Sequence, residues 1–77
     1  MTHELKILPK YFRDVQSRDK NFELRKDDRG FKVGDLIILY EYKDGKFTDR
    51  ILKRYIKYIL RDCPEYGLKE GYCILGF

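Results

Sequence analysis

Gly34-Asp35-Leu36-Ile37-Ile38-Leu39-Tyr40 (residues 34–40) ends in an uninterrupted apolar run of five residues. Gly34 and Asp35 are typical turn residues. The apolar run that follows them is too short for a helix and predicts a buried strand. Asp44 and Gly45 come shortly afterwards, and this dipeptide is typical of a two-residue hairpin turn. We therefore expect a buried strand that continues into a β-hairpin.

The segment that follows the hairpin, residues 51–60, is ambiguous by periodicity, because its apolar residues also fit one side of a helix. β-Branched and aromatic enrichment and the preceding turn favour a strand. In that strand the side chains expected to face inward are Leu52, Ile56, Tyr58 and Leu60. Those expected to face outward are Lys53, Tyr55 and Lys57.

The remaining elements lie on either side of this centre. His3–Leu8 alternates like a short strand, and Pro9 suits the first turn of a helix that reaches about Ser17. Phe22–Arg25 predicts a strand with Glu23 and Arg25 on one face, and Tyr72–Phe77 a final strand. The sequence thus predicts one α+β, β-rich domain over residues 1–77, a partly open mixed β-barrel with one principal helix near residues 9–17.

Composition narrows the class of protein. The chain has 43% hydrophobic and 39% charged residues, and it contains neither an apolar run of membrane-spanning length nor a secretion signal. We expect a soluble cytoplasmic protein, a monomer that does not bind membranes. Cys63 and Cys73 are expected to be reduced in that compartment. Two cysteines and the single His3 are too few for a zinc site, so we expect no metal and no cofactor.

The basic residues are unevenly distributed. Five of them and no acidic residue lie between Arg50 and Arg61, so this segment alone exceeds the net charge of +4. Such a cluster is typical of a surface that binds a polyanion, although a charged strand face can also be merely solvated. Tyr55, flanked by Lys53 and Lys57, is a candidate platform for stacking a base between two phosphate contacts.

The segment Arg18-Asp19-Lys20-Asn21-Phe22-Glu23-Leu24-Arg25 carries the most informative motif, K-x-x-E-x-R. A lysine offers a point charge and an arginine a planar fork for phosphate, and a glutamate accepts hydrogen bonds from a base amino group. Lys20, Glu23 and Arg25 are therefore candidate ligand-binding residues. The alternative is a structural ion network among the same three side chains.

Together with three other segments, this motif makes the chain resemble the ASCH family of PUA-like barrels. The other segments are His3-Glu4-Leu5-Lys6 before the motif, and Val33-Gly34-Asp35 and residues 71–75 after it. It looks most like a compact group from bacteria and phages. The family hallmark is G-x-K-x-x-E-x-R, and this chain has Arg18 in place of the glycine. The backbone at Arg18 therefore forms either a strained turn or a slightly altered loop.

The resemblance implies a cleft between the helix and the barrel, with the three motif residues at its mouth and RNA or a nucleotide as ligand. DNA is a further candidate. His3, which the resembling proteins also carry in the first strand, is a candidate ligand contact; the alternative is a strand residue hydrogen-bonded to the backbone.

Some ASCH-like relatives are amidohydrolases that act on an N-acetylated cytidine with a lysine, a threonine and a distant glutamate. Lys20 matches the lysine of these relatives, but this chain has Glu23 at the position of their threonine. A carboxylate cannot serve as the hydroxyl nucleophile. The resemblance therefore favours a binding module over an enzyme. The alternative is a small nucleoside-processing hydrolase that uses Lys20 and Glu23 as acid and base. A third hypothesis is that the basic strand docks an acidic protein partner.

Overall fold

The computed structural model describes all residues, 1–77, and contains two three-stranded sheets. Sheet A consists of β1 (Thr2–Ile7), β3 (Leu36–Lys43) and β4 (Lys46–Tyr55), with β3 in the middle. Sheet B consists of β2 (Phe22–Lys26), β5 (Tyr58–Leu60) and β6 (Tyr72–Gly76), with β6 in the middle.

One α-helix, α1 (Pro9–Gln16), follows β1, and a 3-10 turn spans Pro64–Tyr66. The sheet topology is mixed, because β1 runs parallel to β3 while the other neighbours are antiparallel. The helix buries Phe12 and Val15 in the core. These elements confirm the α+β prediction with one principal helix near residues 9–17. The ten buried core residues are Leu5, Ile7, Phe12, Val15, Phe31, Ile37, Leu39, Ile56, Cys73 and Leu75.

The predicted hairpin lies between β3 and β4. Lys43 pairs with Lys46, so Asp44 and Gly45 are the two turn residues. Their φ angles are 51° and 80°, and two successive positive φ angles define the turn that matches the twist of a hairpin. The prediction from the Asp-Gly dipeptide is confirmed.

The prediction of one strand over residues 51–60 is wrong, because the chain leaves sheet A and enters sheet B at Ile56 and Lys57. The Ile56 N–H donates to the main-chain oxygen of Asp35, and the Lys57 N–H donates to that of Gly76. This corner shifts the alternation of side chains by one residue, which exchanges the two faces of the segment that follows. Tyr58 and Leu60 are therefore exposed, not inward, and Ile59 packs against the core.

The two sheets do not form one closed, hydrogen-bonded barrel. On the side opposite the corner, β1 and β2 are both edge strands, and arginine side chains from β2 and from the loop after it reach β1. Arg25 Nη1 donates to the main-chain oxygen of Lys6, and Arg29 Nη1 to that of Glu4, each at 2.9 Å. Two carbonyls that face away from β3 are thus satisfied without a strand ladder. We call this junction the arginine seam.

Cys63 and Cys73 are free thiols, and burial raises the pKa of the Cys73 thiol, with Asp27 adding to the effect. No helix in the structure has the length and apolar character needed to cross a bilayer.

Candidate ligand-binding site

The loop between α1 and β2 places the motif. The helix ends at Gln16, and Arg18 adopts a left-handed conformation with φ of 69°. The Lys20 N–H then donates to the main-chain oxygen of Asp14 at 2.9 Å. Glycine adopts this conformation without strain, whereas a residue with a side chain, such as Arg18, does not. Of the two alternatives from the sequence, a strained turn or an altered loop, the structure has the strained turn.

The three motif residues meet around one carboxylate. Glu23 lies on the inner face of β2 and is only 6% exposed. Its Oε1 accepts a hydrogen bond from Lys20 Nζ at 2.5 Å, and its Oε2 is 3.7 Å from Arg25 Nη1. The Lys20 ammonium also lies 5.2 Å from the ring centre of Tyr11 and 5.1 Å from that of Phe22. A buried anion is therefore compensated by two cations that both retain access to solvent.

These residues line a cleft of about 450 Å³ between α1, the end of β1 and the edge of β2. We call it the motif cleft. Leu8, Phe22 and Leu24 supply exposed apolar walls at its rim. The full lining is Lys6, Ile7, Leu8, Tyr11, Lys20, Phe22, Glu23, Leu24 and Arg25.

The chemistry available in the cleft is that of a mixed anion and base site. Arg25 uses one nitrogen for the seam and keeps further N–H groups for a second acceptor. The Lys20 ammonium has three donors, one of which Glu23 occupies. The same Lys20–Glu23 contact also satisfies both groups as a structural ion pair, so the contact by itself fits either interpretation.

The predicted basic strand is split by the corner. Lys53 and Tyr55 lie on the exposed side of β4, whereas Lys57 follows the corner, so the expectation of one strand face for all three is wrong. None of the three lines the motif cleft. Neither lysine side chain forms an ion pair or a hydrogen bond within the protein.

The three arginines of the same segment make intramolecular contacts. Arg50 stacks over the Phe12 ring at 4.4 Å, Arg54 donates to the main-chain oxygen of Val15, and Arg61 pairs with Asp27 at 2.7 Å. Burial lowers the pKa of Arg54, and the nearby charge of Arg18 lowers it further. The cluster therefore offers a polyanion fewer free charges than the sequence suggests.

His3 lies away from the motif cleft, near the start of β1, while the cleft is at the end of that strand. Its ring is 5% exposed, and Nε2 is 2.8 Å from Asp35 Oδ2. This hydrogen bond is the main reason why the pKa of Asp35 is lowered to about 2. His3 is thus bonded to a carboxylate in the structure, not to the backbone. No group of three or more His, Cys, Asp and Glu side chains is arranged to hold a metal ion.

Sequence reasoning missed Glu41, which is buried in β3. Its Oε1 accepts a hydrogen bond from Thr48 at 2.5 Å, and Oε2 is 3.6 Å from Arg50. The signal was available, because Glu41 follows Ile37 and Leu39 at the two-residue spacing of an inward face. It also borders a second cavity of about 550 Å³ on sheet A, to which Lys6 contributes as well.

The sequence matches known proteins over most of its length. Residues 2–77 match the family described as "Domain of unknown function (DUF3850)". The chain is also similar to the "Uncharacterized 12.9 kDa protein in GpA 3'region" of Escherichia phage P2, with 46% identity over 48 residues. That match covers 62% of this chain and 44% of the phage protein, so it spans less than half of that relative.

Proposed function

We propose a function for this chain, which belongs to the DUF3850 family: it is a binding module for RNA or a nucleotide, and the ligand occupies the motif cleft. The observation that carries the proposal is the convergence of Lys20, Glu23 and Arg25 on one cleft with apolar walls. Phosphate groups suit the two cations, and a base amino group suits the carboxylate.

The apolar rim supports a ligand over a purely structural ion network. A network needs only the three charged groups, whereas this cleft also keeps Leu8, Phe22 and Leu24 between 45% and 56% exposed beside them. Apolar walls around a few convergent polar groups are typical of sites for small organic ligands. A nucleotide has the matching combination of a flat base and a charged phosphate.

The architecture supports the finer assignment of a PUA-like, partly open barrel, which we also propose. The corner at Ile56 and Lys57 carries the chain from β4 in sheet A to β5 in sheet B, and the arginine seam links the opposite edges. A strand that turns a corner between two sheets is a device by which small barrels curve. The motif cleft then lies at the opening between the two edges.

Binding titrations test this proposal, with labelled single-stranded RNA, duplex RNA and DNA at two salt concentrations. We expect binding that Lys20→Ala weakens and that the control Lys43→Ala, at an exposed hairpin lysine, leaves unchanged. Absence of binding to all three nucleic acids and to free nucleotides, in folded protein, would contradict the proposal. Binding of an acidic protein in their place would favour the third hypothesis.

One contact favours a second candidate function, a small nucleoside-processing hydrolase. Lys20 Nζ and Glu23 Oε1 are 2.5 Å apart, which is within the range needed for proton exchange between an acid and a base. Release of acetate from an N-acetylated cytidine by the wild type, and its loss in Glu23→Gln, would establish this activity. Absence of acetate release by the folded wild type would contradict it.

A further inference from the structure

The outer face of sheet B carries a row of three residues that are neighbours across the strands. Phe22 of β2 pairs with Gly76 of β6, and Gly76 pairs with Tyr58 of β5. Residues paired in this way point to the same face of a sheet. Phe22 is 45% exposed and Tyr58 is 65% exposed, so two aromatic rings stand on the open face with a glycine between them.

Gly76 leaves a gap between the two rings. A Cβ atom built on Gly76 would lie 3.5 Å from the Cβ of Tyr58, which is ordinary van der Waals contact. A side chain would therefore fit there and fill the gap. Phe22 and Tyr58 are two strand spacings apart, or about 10 Å. A flat ring stacked between two others needs a separation of about 7 to 8 Å between the outer two. Small rotations of the Phe22 and Tyr58 side chains would therefore bring both rings into contact with one base.

Charge around this gap suits a polyanion. The outward positions of the three strands carry no acidic residue: they are Phe22, Leu24, Lys26, Tyr58, Leu60, Tyr72, Ile74 and Gly76. Lys20 lies 5.1 Å from the Phe22 ring centre, and Lys69 lies 5.5 Å from that of Tyr72. Lys57, which is exposed and unpaired, directly precedes Tyr58. Exposed rings accompanied by lysines are the combination that binds single strands.

We propose that Phe22, Gly76 and Tyr58 form a slot in which an unpaired base of a single-stranded RNA stacks between the two rings. The inference rests on the proposed function, because the slot continues from the motif cleft through Phe22, which borders both. A strand whose phosphate is held by Lys20 and Arg25 thus has a place for the neighbouring base. The slot adds a stacking contact that tolerates any base.

A second copy of the chain is the other occupant that an apolar sheet face can take. The surrounding charges favour the nucleic acid, because the outward strand positions hold Lys26 and no acidic residue and Lys69 lies beside Tyr72, so two copies would bring these lysines of each chain together. Like charges placed opposite one another oppose such an interface. A polyanion neutralises them.

Two substitutions test the slot from opposite directions. Gly76→Val fills it, and Tyr58→Ala removes one wall. The matched control is Ile38→Val, which creates the same valine side chain at the outward position between Ile37 and Leu39 in the central strand of sheet A. The probe is a short labelled oligoadenylate RNA, titrated at several salt concentrations, with folding of each variant checked by circular dichroism.

We expect Gly76→Val and Tyr58→Ala each to weaken binding by roughly five- to a hundredfold, the range seen when a stacked base loses its aromatic partner. The dependence on salt should keep its slope in both variants, because no phosphate contact is lost. The control should bind like the wild type. Tyr58→Phe, which keeps the ring, should also bind like the wild type.

The outcomes separate the slot from the proposed function. If the wild type binds and Lys20→Ala weakens binding, while Gly76→Val and Tyr58→Ala do not, the slot is overturned and the motif cleft stands. If the wild type binds no single-stranded RNA, both are overturned. If sedimentation without RNA shows a dimer that Tyr58→Ala converts to a monomer, a second copy covers the face and the slot is overturned.

Discussion

The Arg25 guanidinium donates a hydrogen bond of 2.9 Å to the main-chain oxygen of Lys6, across the gap between the edges of β2 and β1. A residue of the candidate site therefore also holds the two sheets together. Removal of the Arg25 side chain therefore leaves an edge carbonyl without its partner, apart from any effect on a ligand.

Arg25→Ala should lower the free energy of unfolding by about 1 to 2 kcal/mol, the loss typical of a hydrogen bond to a charged group that is partly screened by water. Urea unfolding measures it. Arg13→Ala is the control, because Arg13 is exposed on α1 and forms no ion pair. Equal stability of the two variants would show that the arginine seam contributes nothing.

Arg18→Gly should raise the free energy of unfolding by about 0.5 to 1 kcal/mol. Arg18 has a φ of 69°, which costs a residue with a side chain roughly 1 to 2 kcal/mol, and part of this gain is offset by the greater freedom of glycine in the unfolded chain. The thermal midpoint measures the effect. Lys32→Gly, at a loop residue whose own φ is not positive, should be destabilising; stabilisation by both variants would contradict the explanation from backbone strain.

Local sequence patterns predicted the helix and most of the strands. The features that they did not predict are determined by tertiary contacts. The apolar run of β3 and the Asp-Gly turn act within a few residues, so they are readable from sequence. The corner at Ile56 is fixed by a hydrogen bond to Asp35, which lies 21 residues earlier, and no periodicity announces it. The exposure of Tyr58 could not be predicted for that reason.

Part of the candidate site could also be predicted from local sequence patterns. The spacing of Glu23 and Arg25 predicted a shared side of β2, and the structure places both on the side that meets the arginine seam. That this side is buried depends on Leu75, the cross-strand partner of Glu23. The pairing of His3 with Asp35 spans 32 residues, which no local pattern predicts.

Acid stability should depend on Asp35. The hydrogen bond from His3 lowers the pKa of this carboxyl to about 2 from its usual 3.8, with the N-terminal amine and the Lys32 N–H also lowering it. A lowered pKa stabilises the fold above the ordinary value, and the contribution is lost as the pH falls through about 2. Asp35→Asn should therefore be less stable than the wild type at neutral pH, and the difference should shrink between about pH 4 and pH 2.

Urea midpoints at a series of pH values check this expectation. Asp62→Asn serves as the control, because Asp62 is exposed and accepts no hydrogen bond from a side chain. A difference between Asp35→Asn and the wild type that stays constant down to the lowest pH would show that ionisation of Asp35 is not the cause.

Lys53 and Lys57 should strengthen the binding of RNA without selecting among RNA sequences. Both are exposed and unpaired, and neither lines the motif cleft. Replacing both by Ala should weaken binding to every RNA sequence alike and reduce the slope of log affinity against log salt by up to about two units. Filter-binding at several salt concentrations measures the slope. A change in preference among sequences, at constant slope, would contradict a purely electrostatic role.

The central claim is that RNA or a nucleotide binds in the motif cleft, and an amide-resolved NMR titration with single-stranded RNA tests it most directly. We predict that the largest shift changes fall on residues 20–25 and on the cleft side of β1 and α1, and that Glu23→Gln alters which RNA sequence binds best because its acceptor geometry changes. A folded protein whose amide signals stay unchanged with every RNA and nucleotide, or shift only outside the cleft, would contradict the claim.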